Sequence, residues 1–137
     1  PDLTLLKGNH TKLKPNREDL MSIKKGIHSL NKLNAYNHAQ GLVVENSSII
    51  TTETSKGTKK MIQSIKKSKN FQRILIKFPK KKQDLRVDLP TIGLDTLKDC
   101  KSAGIKGIVL KSKQNVFLDK IKSISYANKN KMFIKVK

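Results

Sequence analysis

The chain has 137 residues, enough for one domain with a sizeable core and too few for two ordinary ones. Thirty Lys and Arg stand against ten Asp and Glu, and the formal charge of +20 favours phosphates, nucleic acid or an anionic membrane as partners. The single cysteine excludes a disulfide framework and a Cys-based zinc site and fits a reducing cytosolic compartment, and no apolar run approaches the roughly 18 residues of a membrane span.

Residues 1–15 hold Pro1, Gly8 and Pro15 among polar residues and read as a linker or arm. A start at Pro1, with no basic-then-apolar signal order, is read as following a missing amino-terminal domain. Asn16 is the expected N-cap of a helix over 16–34, with Glu18 and Asp19 in its first turn and Leu20, Ile23, Ile27, Leu30 and Leu33 as its apolar stripe. The β-prone runs 39–44 and 48–52 flank the turn residues Glu45, Asn46 and Ser47 and predict a hairpin. Residues 53–58 carry no apolar member and lead into Met61, Ile62 and Ile65 at helical spacing. That order of strand, loop and helix start reads either as an anion site or as an ordinary polar loop capped by Thr58.

Residues 73–78 are a buried strand candidate. If 84–89 is extended, Asp84, Arg86 and Asp88 share one face and Leu85, Val87 and Leu89 the other, with Pro90 as the stop. Gly93 precedes a helix over 94–103 that has Asp95 in its first turn, Cys100 as a small buried filler and Gly104 as C-terminal cap. Runs 105–110 and 115–118 are predicted to form a second hairpin-like pair around Ser112 and Lys113, with Gly107 as a strand-entry glycine. Asp119 is the expected cap of a last helix bearing Ile121, Ile124 and Ala127, and 132–136 closes the chain as a strand. The predicted fold is α/β: a single domain over 16–137 with a mixed β-sheet and about three or four packed helices.

Two acids either side of a cation suit a divalent metal working on a phosphoryl group, with Arg86 pairing phosphate oxygens; a solvated strand face is the plainer alternative. The scattered His10, His28 and His38 disfavour a histidine metal site or a Ser-His-Asp triad, and there is no dinucleotide fingerprint or Walker loop. The basic cluster 77–82 suits a phosphate or lipid headgroup. A basic nucleic-acid-binding module competes, although 27 of the 30 basic residues are Lys, and nucleic-acid readers use more Arg and more aromatics.

The run Gln83-Asp84-Leu85-Arg86-Val87-Asp88-Leu89-Pro90-Thr91-Ile92-Gly93, with Ile76-Lys77-Phe78-Pro79 before it and Thr96 and Ala103-Gly104-Ile105-Lys106-Gly107-Ile108 after it, resembles the carboxy-terminal domain of the UDP-2,3-diacylglucosamine pyrophosphatase family of lipid A biosynthesis. Glu53, Gly57, Thr58, Met61, Ile62, Gln40, Val43, Val44 and Phe133 extend the likeness. The resemblance implies Mg²⁺-assisted hydrolysis, with Mn²⁺ as the alternative ion, by water attack on the α-phosphorus of the UDP-linked diacylated sugar. UMP and 2,3-diacylglucosamine 1-phosphate are the implied products. Asp88 and Arg86 take catalytic roles in this reading, Gly57, Thr58, Lys77, Gln83 and Thr91 contact substrate, and Asp88, Asp84 and Glu53 hold metal. The implied setting is cytoplasmic and peripheral to the inner membrane, with the amino-terminal domain and an anionic membrane surface as partners, no specific nucleic acid, and a homodimer left open. The isolated fragment is expected to be poorly active. Two positions depart from the family pattern: Lys59 follows Gly57-Thr58 where an acid is usual, and Ala39 precedes Gln40 where Gly is usual. A non-catalytic remnant of the fold is the third reading.

Overall fold

Four helices and eight strands form among the residues that the computed structural model describes, 4–35, 40–79 and 90–137. In chain order they are β1 (Gly8–Asn9), α1 (Arg17–Ala35), β2 (Gly41–Glu45), β3 (Ser48–Thr52), α2 (Thr58–Ser64), β4 (Arg73–Lys77), β5 (Thr91–Ile92), α3 (Leu94–Ser102), β6 (Ile105–Leu110), β7 (Val116–Phe117), α4 (Lys120–Lys129) and β8 (Phe133–Val136). A six-stranded sheet runs β1-β8-β6-β4-β2-β3, and β5 pairs with β7 outside it. Strands β4, β6 and β8 are parallel, while β1 against β8, β2 against β4 and β2 against β3 are antiparallel. The predicted α/β class with a mixed sheet is the observed one.

Alternation along the strands builds a core on each face. Val43, Leu75, Ile108 and Ile134 are register neighbours and pack with Met61, Ile62, Leu97, Cys100 and Ala127 from α2, α3 and α4. Leu42, Val44, Ile74, Ile76, Val109 and Phe133 meet Ile23 and Leu30 of α1 on the opposite face. Strands covered on both sides read as continuous apolar runs, which explains Ile74-Leu75-Ile76 and Ile108-Val109-Leu110.

The start of α1 is a reciprocal cap: Asp19 N–H donates to Asn16 Oδ1 at 2.8 Å and Asn16 N–H donates to Asp19 Oδ2 at 2.9 Å. Lys106 Nζ, 2.7 Å from Asp19 Oδ2, ties this first turn to β6. The β2–β3 connection places Asn46 (φ 48°) and Ser47 (φ 65°) in the left-handed region, the geometry of a tight two-residue hairpin.

Several local expectations are corrected. Leu20 is exposed rather than part of the stripe of α1, because polar contacts hold the first turn and the apolar contact begins at Ile23. Residues 105–118 do not form a hairpin: β6 is taken on both edges by β4 and β8, and β7 pairs with β5. Asn115, fully buried, turns the chain between them, accepting from Leu5 N–H at 3.0 Å and donating to Leu5 O at 3.2 Å and Lys111 O at 2.8 Å. Asp119 occupies the N-cap position of α4 in a left-handed conformation (φ 50°) and makes no side-chain cap, which needs an extended backbone. That helix buries Ser123 and Ala127 and leaves Ile121 87% exposed, so the small residues face the core. Gly107 lies within β6 rather than at its entry, opposite Phe133.

Part of the stretch read as a linker or arm lies along the sheet. Gly8 and Asn9 pair with Val136 and Lys135, His10 N–H donates to Ile134 O at 2.9 Å, and Leu5 is buried. Among the described residues no helix is long and apolar enough to cross a membrane.

Cys100 is wholly buried on α3, and burial, then the Asp99 charge, push its thiol well above the ordinary value. The native protein is therefore expected to give no reaction with an aromatic disulfide reagent at pH 8. One thiol should appear for this chain on unfolding in guanidinium. Rapid native labelling would place Cys100 at the surface.

Candidate functional site

Register gathers one end of the sheet into a row: Gly41 opposite Lys77, Leu42 opposite Thr52, Lys77 opposite Leu110, and Leu110 opposite Val136. It is the carboxyl end of the parallel strands β4, β6 and β8, where open α/β sheets hold ligands. Pairing continues one residue beyond the strands, since Glu53 N–H donates to Gly41 O and Phe78 N–H to Gln40 O, both at 2.8 Å. Glu53 and Lys77 are thereby brought across β2 toward each other.

Their side chains are 8% and 10% exposed, and Lys77 Nζ stands 3.6 Å from Glu53 Oε1. Thr58, the first residue of α2, links them: its hydroxyl donates to Glu53 Oε1 and accepts from Lys77 Nζ. Three chemically different groups, one just beyond β3, one on β4 and one at the start of α2, thus close a small polar cluster at the edge of an apolar core. Gly41 borders the carboxylate and the carbonyl of Ile76. A Cβ there would lie 3.4 Å from Glu53 Oε1 and 3.3 Å from Ile76 O.

The loop before α2 is shaped by Gly57, whose φ of 93° suits glycine, with its N–H donating to Thr54 O at 3.1 Å. Gly57 is the N-cap and offers no side chain, so Thr58 is not the cap; its hydroxyl serves Glu53 and Lys77 instead. Buried Met61 and Ile62 fix α2 to the core and so fix Thr58. Lys56, Lys59 and Lys60 are exposed around this loop, and Lys111 Nζ stands 6.0 Å from the centre of the Phe78 ring at the end of β6.

Of the residues singled out from sequence, Glu53, Gly57, Thr58 and Lys77 therefore lie together. Thr91 is exposed on β5, in register with Val116. Gln83, Asp84, Arg86 and Asp88 lie outside the described residues, as does the rest of the basic cluster after Lys77. The chain leaves the sheet at this end through buried Phe78 and Pro79, and Pro90 O accepts from Val116 N–H at 2.8 Å. Among the described residues no three His, Cys, Asp or Glu side chains are grouped to hold a metal ion.

Sequence reasoning missed Gly41, and it read Lys77 both as part of a buried strand candidate and as the start of a basic cluster, without the partners that hold its nearly buried side chain. The available signals were a glycine opening the apolar run Leu42-Val43-Val44 and a lysine closing the run Arg73-Ile74-Leu75-Ile76-Lys77. Arg73, at the opposite end of β4, is structural: Nη1 donates to Lys66 O at 2.6 Å and Ala103 O at 2.9 Å, and Nε stands 3.5 Å from Glu45 Oε2.

Comparison with known proteins gives this geometry a context. The chain is 28% identical over 141 aligned residues to the UDP-2,3-diacylglucosamine pyrophosphatase LpxI of Caulobacter vibrioides, a match covering 97% of this chain and 50% of that protein. It thus spans about half the length of that relative. Residues 6–135, which run from β1 into β8 and include the Glu53–Thr58–Lys77 cluster, match the family described as the LpxI C-terminal domain, and the chain belongs to that family.

Proposed function

We propose that this chain is the carboxy-terminal part of an enzyme that hydrolyses the pyrophosphate bond of UDP-2,3-diacylglucosamine, releasing UMP and 2,3-diacylglucosamine 1-phosphate for lipid A biosynthesis. The observation that carries the reading is the family match over residues 6–135, joined to a polar cluster at the sheet end from which the chain enters the Asp84–Asp88 motif.

The substrate is a dianionic pyrophosphate with a nucleotide at one end and acyl chains at the other, so binding it needs fixed positive charge near the phosphates. Lys77 is held by Thr58 and Glu53 and supplies such a charge, with the exposed Lys56, Lys59 and Lys60 around it. Phosphoryl transfer needs little covalent chemistry beyond positioning and charge stabilisation, and a rigid strand end suits that demand. Arg86 is assigned to a phosphate oxygen, and Gln83 and Thr91 to substrate.

Mg²⁺, or Mn²⁺ in its place, would supply charge neutralisation when bound, with Asp84 and Asp88 as its carboxylates. The described residues alone do not fit a divalent cation, because Glu53 faces an ammonium and no grouped set of ligands accompanies it. The remaining half of a longer protein and an anionic membrane are the proposed partners, the latter through the +20 charge, at the cytoplasmic side of the inner membrane.

The decisive variant is Asp88→Asn in the full-length protein, measured by single-turnover UMP release at saturating Mg²⁺. It keeps shape and removes charge, and the expected loss in kcat is about 100-fold, a barrier increase of about 3 kcal/mol. Its melting temperature should match the parent. Release at near parental rates would refute the role of Asp88, and no UMP from the parent protein would refute the activity.

A further inference from the structure

We propose that Lys77 is the resident cation of this site and that Glu53 and Thr58 are its positioning residues, so that Glu53 holds the ammonium rather than a divalent metal. The proposal deepens the reading of the site as one for a pyrophosphate, and it reassigns a carboxylate that the resemblance gave to the metal.

The geometry supports the reassignment at each group. Glu53 Oε1 has the Lys77 ammonium at 3.6 Å and also accepts the Thr58 hydroxyl, so that oxygen already has two partners. A metal coordinated there would stand against a positive charge fixed on β4. Lys77 is fixed in turn because Thr58 Oγ1 accepts from Nζ, and Thr58 is anchored by Met61 and Ile62. Gly41 borders the device, since a Cβ there would press on the carbonyl of Ile76 at 3.3 Å and touch Glu53 Oε1 at 3.4 Å. Among the described residues Lys77 has Glu53 and Thr58 as side-chain partners, two for the three N–H groups of an ammonium.

The selective logic points the same way. A nearly buried ion pair is a poor source of stability, since apolar residues of similar volume serve a fold as well or better. Keeping Lys77 and Glu53 at the carboxyl end of the sheet, instead of two further apolar residues, is accounted for by a use for a metal-independent positive charge. An oxyanion of a phosphoryl group is the chemical class that such a charge takes.

The test uses the full-length protein and the double variant Glu53→Gln/Lys77→Met, which removes both charges together and so avoids stranding either one. Thermal unfolding confirms that the variant is folded. Inorganic pyrophosphate binding is measured by calorimetry in excess EDTA, and Mn²⁺ binding by electron paramagnetic resonance without nucleotide. The expected result is pyrophosphate affinity at least 10-fold weaker in the variant and Mn²⁺ affinity within 2-fold of the parent. A 10-fold loss of Mn²⁺ affinity would make Glu53 a metal ligand and overturn the proposal. Unchanged pyrophosphate affinity, or no pyrophosphate binding by the parent in EDTA, would overturn it equally. The single variant Glu53→Gln repeats the Mn²⁺ measurement with Lys77 intact, and a 10-fold loss there also overturns the proposal. UMP release by the parent protein reports separately on the hydrolase reading, so a failure of that reading is distinguishable from a failure of this one.

Discussion

Gly107→Ala is expected to destabilise the fold by about 3 kcal/mol, at the upper end of the cost of overpacking a core. An added Cβ would sit 2.1–2.3 Å from three ring atoms of Phe133, the register partner of Gly107 in β8. Phe133 has no exposed surface and is packed among Ile74, Val109 and Leu42 on the face covered by α1, so the ring has nowhere to swing. The sign is informative, because replacing glycine by alanine where space and backbone allow stabilises a protein by about 0.4–1 kcal/mol. A fall of about 10 °C in melting temperature is expected for a domain of this size. Shrinking the ring should repair the damage: Gly107→Ala with Phe133→Leu should recover about 2 kcal/mol relative to the sum of the single changes. Strict additivity of the two changes would show that the ring and the glycine do not share their space.

The second large effect concerns the Lys77–Glu53 ion pair, where charge rather than volume is at stake. Lys77→Met leaves the Glu53 carboxylate 8% exposed without its ammonium, and breaking a buried pair in this way costs about 3–5 kcal/mol. Glu53→Gln added to it removes the stranded charge while keeping an oxygen to accept the Thr58 hydroxyl. The double variant is therefore expected to melt within a few degrees of the parent, measured by calorimetry at pH 7. A single Lys77→Met variant as stable as the parent would mean that solvent reaches the carboxylate freely.

What could be read from the residues, and what could not, divides along the range of the interactions. The cap at Asn16 and the turn at Asn46-Ser47 are decided within four residues, and both are seen where local chemistry puts them. The pairing of β6 is not local. Its apolar run is compatible with a hairpin partner, and only the crossovers through α3 and α4 decide that β4 and β8 take its edges. Periodicity likewise gives the presence of a stripe without its rotation, which is why Leu20 and Ile121 are exposed.

The same division holds at the site. Glu53, Gly57 and Thr58 stand out as a polar stretch between apolar elements, and in the structure they are the loop after β3 and the first residue of α2. Lys77 looks like the first lysine of a basic run, and its burial follows from register with Gly41 and from the hydroxyl that α2 presents. A glycine contributes to such a cluster only by what it lacks, so Gly41 carries no chemical signature in the chain.

The pairing of β1 with β8 has a practical side for anyone choosing where to cut this domain. Ile134 O accepts from His10 N–H, Ile134 N–H donates to Thr11 Oγ1, and Gly8 lies beside Val136. Trimming to the start of α1 would strip these partners from β8 and leave a bare strand edge with buried Leu5 gone from the core. Such an edge is a template for another chain to add itself, so the shortened domain would trade a clean boundary for self-association and poor solubility.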